Sequence, residues 1–419
     1  MRDGVGFDKA DGGYAISAWD AAWLRAAKAR GLRTCVVLAM GADMEVADLC
    51  AQAVALAGAK DLVDAIELGN EPNNFGGWVK KHGGIWNGSA EGGVDAPWIK
   101  AHLAATNAVA EAVKQARPEV PVVGLGGVPP SNARCLRLGL SPAVDGVVEH
   151  PYSFCLTPEL VPWNQGMAAR DGLGSGDADG TLTGLLGWYF QQFRDSGRER
   201  QLWITEFGWT GFRHDLKNTG GLYAGFDERT QADFVARRHL LHLWSGAAVS
   251  IQYDLLDDYA SDPHEAEANF GMLRGDYSRK PVWYATQRLC SLFAGAERDA
   301  STTVDVVAAP IHRAQKPAVQ VADWDGSDLR GAAAPVALPF LRADQPGVRT
   351  LAVWSPLPPG GFAGRVCELR VAGWQGFASP VAIGLLSGRL TDVPVRADGE
   401  AQVLTLALDG EPLVVRAFR

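Results

Sequence analysis

The sequence predicts an α/β chain: a (β/α)8 TIM barrel over residues 1–297 that lacks its first β/α unit, then an all-β sandwich over residues 298–419. Three observations predict it. Short apolar runs alternate with helical runs as far as about residue 297, which calls for a parallel sheet. The segments after the apolar runs are long and rich in Gly, Trp and Asn, whereas those before them are short, as in a barrel whose functional loops follow its strands. Past residue 298 the helices stop, and short β-like runs alternate with Gly, Pro and Asp turns.

The first helix is read at Ala18–Ala29, with Asp20 near its start. A strand follows at Arg33–Met40, then a helix at Glu45–Ala57 that Gly58 stops. Strands at Asp64–Gly69, Val120–Leu125, Val144–Glu149, Gln201–Thr205 and Val249–Asp254 are rich in Val, Ile and Leu and barely alternate. That is the pattern of strands buried on both faces. Helices are read at Ile99–Gln115, Leu182–Asp195, Gln231–Leu243 (Asp227 near its start) and Pro281–Phe293, where Pro281 suits a first helical position. The β-like runs of the second part are Val304–Ala308, Ala318–Ala322, Thr350–Trp354, Arg365–Val371, Val381–Leu386 and Gln402–Leu408. Before the first helix only a stub, Met1–Asp8, stands where two strands are needed. The reading is a truncated or misassigned start, which would also remove any export signal. Localisation therefore stays open, and a periplasmic or secreted parent fits.

Composition narrows the function. The net charge of −9 argues against a nucleic-acid groove, since phosphates call for clustered Lys and Arg. No apolar run reaches the ~18 residues of a membrane span. Six cysteines without CxxC spacing read as mostly buried free thiols, and a zinc site is not expected. His264-Glu265-Ala266-Glu267-Ala268 lacks the second His of a zinc-protease helix. Gly124-Leu125-Gly126-Gly127 does not complete a dinucleotide fingerprint, and Pro129 and Pro130 argue against a helix start there. No GxSxG elbow occurs.

Two apolar runs end in a carboxylate. Asn70-Glu71-Pro72 closes one, because proline ends the strand; Glu206 closes Leu202-Trp203-Ile204-Thr205. Both fall where loops after strands begin. A carboxylate among apolar residues is costly unless bonded or used. Two carboxyl groups flanking one glycosidic bond are the usual apparatus for cleaving it. His150 and Tyr152, also at a strand end, are candidates to line the same site. Among the loop tryptophans Trp78, Trp86, Trp98, Trp163 and Trp209, Trp209 is the first choice for stacking on a sugar. Asp254, Asp257 and Asp258 read as solvated rim charges.

These residues resemble the clan A retaining glycoside hydrolases, closest to family 39 (β-xylosidase-like enzymes and bacterial exopolysaccharide glycosidases), with family 5 next. The resemblance covers about residues 1–297. It implies that Glu71, after strand four, is the acid/base and that Glu206, ending strand seven, is the nucleophile. It implies that Asn70 binds the sugar 2-hydroxyl and that His150-Pro151-Tyr152 carries the His and Tyr that orient the nucleophile. Arg2, in Met1–Phe7, would partner Glu206; Phe270-Gly271 and Tyr277–Tyr284 would lead into the last helix. One departure is Tyr253, where many relatives carry a Trp beneath the sugar. The expectation is a retaining hydrolase of a β-linked oligo- or polysaccharide, with no cofactor and no metal. The alternative is a catalytically impaired carbohydrate-binding relic of a truncated barrel. Xylan, a cellulose-like glucan and a bacterial exopolysaccharide all fit, and endo or exo action and oligomeric state stay open.

Overall fold

A computed structural model describes residues 1–10, 13–212, 223, 225–258, 262–308, 335–356, 365–408 and 410–419. Seven parallel strands form one sheet in chain order: Arg2–Gly4, Cys35–Leu38, Ala65–Leu68, Val122–Leu125, Gly146–Glu149, Gln201–Ile204 and Val249–Ser250. The register runs Arg2↔Cys35, Cys35↔Ala65, Ile66↔Val122, Val123↔Gly146, Gly146↔Gln201 and Trp203↔Val249. Arg2–Gly4 and Val249–Ser250 are its two edges and are not paired with each other. The described sheet is thus a curled, seven-stranded one.

The continuous apolar runs follow from burial on both faces. Val36, Leu38, Ile66, Leu68, Val122, Val147, Leu202 and Ile204 pack into the large core shared with the helices. The alternate residues Cys35, Ala65, Val123, Val148 and Trp203 form a separate cluster inside the curl. Because side chains alternate along a strand, Glu67, His150 and Thr205, each two residues further on, share that inner face. An apolar floor therefore carries a polar layer above it, towards the strand ends.

Helices at Ala18–Ala29, Val46–Gly58, Pro97–Ala116, Leu182–Asp195, Glu228–Ser245 and Pro281–Phe293 appear close to where the sequence places them. Ser17, Thr181 and Asp227 cap three of them through side-chain oxygens. A further helix, Pro129–Gly139, corrects the reading that its prolines spoil a helix start. They occupy the first two positions, where the missing N–H groups have no intrahelical partner to lose. The stub is also more than a stub: Phe7–Ala10 pairs antiparallel with Gly13–Ile16 as a hairpin.

The C-terminal part is two antiparallel sheets. One holds Ala296–Arg298, Val336–Arg342, Val348–Trp354, Leu413–Phe418, Ala378–Gly384 and Leu390–Asp392; the other holds Thr303–Ala308, Arg365–Ala372, Ala401–Leu408 and Val395–Asp398. Leu351, Val353 and Val415 face the second sheet with Cys367, Leu369 and Leu404. Their alternates Ala352, Trp354 and Val414 join the core of the first part, so one sheet is buried from both sides. Arg237 and Trp354 both bond Glu159 (Arg237 Nη2 at 2.6 Å, Trp354 Nε1 at 2.8 Å), tying the two parts together. The predicted run Ala318–Ala322 lies outside the described residues. No helix among the described residues is long and apolar enough to cross a membrane.

Candidate active site

Glu71 and Glu206 face one cavity of about 370 Å³ at the strand ends, lined also by Asn70, His150, Tyr152, Tyr253, Glu149, Glu267, Phe75 and Trp163. Gly69 (φ 80°) and Glu71 (φ 40°) turn the chain out of the Ala65–Leu68 strand in left-handed conformation. A non-glycine residue there is strained, and such strain gathers at functional sites. The Glu71 carbonyl accepts from the N–H groups of Asn74 and Phe75, both at 2.8 Å, which holds the turn.

Arg2 organises the floor. Its guanidinium donates twice to Glu67 (2.7 Å each), once to Asn70 Oδ1 (2.7 Å) and once to Glu206. The two-pronged contact to Glu67 matches carboxylate geometry, and it leaves Nη1 to hold Glu206. Tyr152 donates to Glu206 Oε2 at 3.1 Å.

His150 links the two carboxylates. Its Nδ1 lies 2.9 Å from Glu71 Oε1 and 3.7 Å from Glu206 Oε2, and its Nε2 lies 3.0 Å from Thr205 Oγ1. Thr205 gives its hydroxyl proton to Glu67 at 3.2 Å, so its oxygen accepts from His150 Nε2–H. Nδ1 is then the atom that exchanges a proton with Glu71: Glu71 and His150 hold one proton between them. The balance of charges agrees. Burial pushes Glu71 up, but the hydrogen bond and charge of His150, then Asn74 and Arg2, hold it below the usual range. Burial pushes His150 down, but the charges of Glu206 and Glu71 raise it.

Glu149, beside His150 and fully buried, is pushed up to about 8 by desolvation, despite the hydrogen bond from Tyr189. Burial thus favours the neutral form of this carboxyl in the cavity wall. Glu71, His150 and Glu206 also bring three possible donor atoms within 4.8 Å of one another, the one such group among the described residues. Arg2 already supplies positive charge at Glu206, which opposes a divalent ion there.

Seven of the eight residues singled out from the sequence meet here: Glu71, Glu206, Asn70, His150, Tyr152 and Tyr253 line the cavity and Arg2 bonds into it. Trp209 does not. It is buried in the core, donates to Leu156 O at 3.1 Å and carries Arg238 over its ring, so the stacking role expected of it is corrected to packing. Trp78 and Trp98 are likewise buried, bonded to Met40 O and Ile85 O. Asp257 is no solvated rim charge: it is buried against Lys280 at 2.7 Å. Sequence reasoning missed Glu67, Thr205, Asn74, Glu149 and Glu267. Glu67 and Glu149 had a signal, a carboxylate inside an otherwise apolar strand; Glu267, in a loop, had none.

No family model and no curated protein matches the chain. Solved structures do. A family 39 glycoside hydrolase from the gut symbiont Bacteroides cellulosilyticus WH2 superposes with TM-score 0.67 at 18% identity, over 100% of this chain and 75% of that one. The chain has the fold of the clan A glycoside hydrolases. A family 30 subfamily 8 xylanase from Clostridium acetobutylicum gives TM-score 0.56 at 10% identity, over 100% of this chain and 88% of that one. A glucosidase from Croceicoccus marinus gives 0.53 at 16%, over 95% and 81%. At these identities the likeness is one of fold, and it agrees with the clan and family that the sequence motifs resemble.

Proposed function

We propose that the protein is a retaining glycoside hydrolase of β-linked oligo- or polysaccharides. The observation that carries this is the pair of carboxylates, Glu71 and Glu206, with an oxygen from each within 4.8 Å, facing one open cavity. Retaining enzymes hold their carboxyl groups about 5–5.5 Å apart, and inverting ones leave room for a water between them.

Glu206 attacks the anomeric carbon, forming a glycosyl-enzyme. Hydrogen bonds from Arg2 and Tyr152 keep it aimed. Glu71 protonates the leaving oxygen with the proton it shares with His150. It then takes a proton from the water that releases the sugar. Asn70, whose oxygen is spent on Arg2, offers its amide N–H groups to the 2-hydroxyl. Tyr253 supplies the aromatic floor in place of a Trp. Proton and nucleophile both come from side chains, so the reaction needs no cofactor. The reading takes residues 1–297, with their curled seven-stranded sheet, as the catalytic unit of incomplete (β/α)8 type and 298–419 as an accessory sandwich. The test is Glu206→Gln assayed on aryl β-glycosides: turnover should fall by at least about a thousandfold with the fold intact. Normal activity in that variant would refute the assignment.

A further inference from the structure

Six side chains form an unbroken line of hydrogen bonds beneath the cavity. It starts at Glu206, which accepts from Arg2, and Arg2 holds Glu67 with two bonds of 2.7 Å. Glu67 Oε1 accepts from Thr205 Oγ1 at 3.2 Å, and Thr205 Oγ1 lies 3.0 Å from His150 Nε2. His150 Nδ1 lies 2.9 Å from Glu71 Oε1, where the line ends. Thr205 is the one member that does not ionise. It is 1% exposed, so water does not compete for its hydroxyl. Its branched Cβ restricts rotation about χ1, which keeps the hydroxyl in this place.

A hydroxyl has one proton to give. Both Glu67 oxygens accept from Arg2, so Glu67 is an acceptor in this line. If Thr205 gave its proton to His150, two oxygens would face each other at 3.2 Å with no hydrogen between them. Thr205 therefore donates to Glu67 and accepts from His150 Nε2–H. Among the described residues it is the one group bonded to that nitrogen. The carboxylates bear on the other nitrogen: Glu71 and Glu206 lie 2.9 and 3.7 Å from Nδ1. Arg2 opposes their charge, and Glu149, bonded by Tyr189, adjoins His150 in the chain. Tyr152, Tyr223 and Glu267 respond to the charge of Glu71 from around the cavity, and Asn74 bonds its second oxygen. Without Thr205, Glu71 and Glu206 would draw the single proton of the neutral ring to Nδ1. There it would only tie the ring to Glu71, and the pair would be one proton short for transfer.

We propose that Thr205 is a positioning residue for the proton donor: anchored on Glu67, its hydroxyl pins the His150 ring in the Nε2–H form, so that a second proton, on the Nδ1 side, is the one Glu71 delivers to the leaving oxygen. This rests on Glu71 being the acid/base. The first test needs no substrate. In the full chain labelled with 15N-histidine, the His150 signal is the one lost in His150→Gln. Wild-type His150 should carry its proton on Nε2, and Thr205→Val and Thr205→Ala should move it to Nδ1, whereas Thr205→Ser should keep it on Nε2. An Nδ1–H ring in the wild type, or the same tautomer in the wild type and Thr205→Val, overturns the proposal. The second test compares β-1,4-linked xylo-, cello- and manno-oligosaccharides, whose leaving group needs a proton, with 2,4-dinitrophenyl β-glycosides of the same sugars, whose leaving group does not. Thr205→Val should move the alkaline limb of kcat/KM for the oligosaccharides down by about one pH unit, and above that limb lower the oligosaccharide-to-dinitrophenyl ratio about tenfold, the worth of one hydrogen bond to a charged group. Thr205→Ser should retain both. Equal losses on the two classes would mark Thr205 as merely structural and overturn its role. If the wild type cleaves neither class, the hydrolase reading fails separately, and the His150 spectrum alone decides whether Thr205 pins the ring.

Discussion

Arg2→Met should be among the most damaging single changes in this protein. The Arg2 side chain is 11% exposed and bonds three partners: Glu67 twice, Asn70 and Glu206. Glu67 is fully buried, and once Arg2 is gone its remaining neighbours are Thr205 Oγ1 at 3.2 Å and the Cys35 thiol at 4.0 Å. A buried carboxylate left without its cation costs about 3–5 kcal/mol. The Met stem fills similar space, so the loss reads charge rather than volume. Urea unfolding at pH 7 measures it. Glu67→Gln added to Arg2→Met removes the stranded charge and should restore about 2 kcal/mol. Arg2→Lys should fall between, because an ammonium cannot serve two carboxylates and an amide as a planar fork does. A loss below about 1 kcal/mol for Arg2→Met, the range of an exposed pair, would refute the view that Arg2 holds the floor of the cavity together.

Three other outcomes follow from the same network. His150 has a raised native pKa, so the stability it contributes is full below its unfolded value near 6.5 and is lost as pH rises through the native value; His150→Gln should flatten that decline in thermal melts run upward from about pH 6.5, and parallel curves would count against the shared proton. Glu149 is raised to about 8, so the folded state binds its proton longer than the unfolded chain does and stability drains away as pH climbs from about 4.5; Glu149→Gln should gain on the wild type at pH 8 relative to pH 5, and a constant difference would show that the carboxyl is not held neutral. Gly208→Ala drives a methyl into the Tyr253 carbonyl and the Phe270 ring, so it should cost about 1–3 kcal/mol and displace the Tyr253 wall, seen as loss of sugar binding with the core intact; full binding would show that this contact does not shape the cavity.

How far the site could be read in advance differs residue by residue. Glu71 and Glu206 stood out because each ends an apolar run beside a chain-breaking or turn residue, a purely local pattern. His150 and Tyr152 were readable for the same reason. Trp209 misled because sequence shows that a residue is aromatic and near a strand end, but not which way its ring points; the helix Glu228–Ser245 claims it for the core. The hairpin Phe7–Ile16 went unread because four-residue strands with mixed polarity resemble a loop. The helix Pro129–Gly139 went unread because two prolines are breakers inside a helix and starters at its end, and only the chain's path distinguishes the two.

By itself the order of residues determined the alternation of strands and helices, the change to antiparallel sheets and which carboxylates end strands, since periodicity and breakers act over a few neighbours. Tertiary structure alone decided that Glu67 and Thr205 would orient His150, that one proton would lie between Glu71 and His150, and that Trp163 would reach the cavity while Trp209 would not. Those outcomes depend on distances of about 3 Å between groups as much as 138 residues apart, and the curl of the sheet sets them.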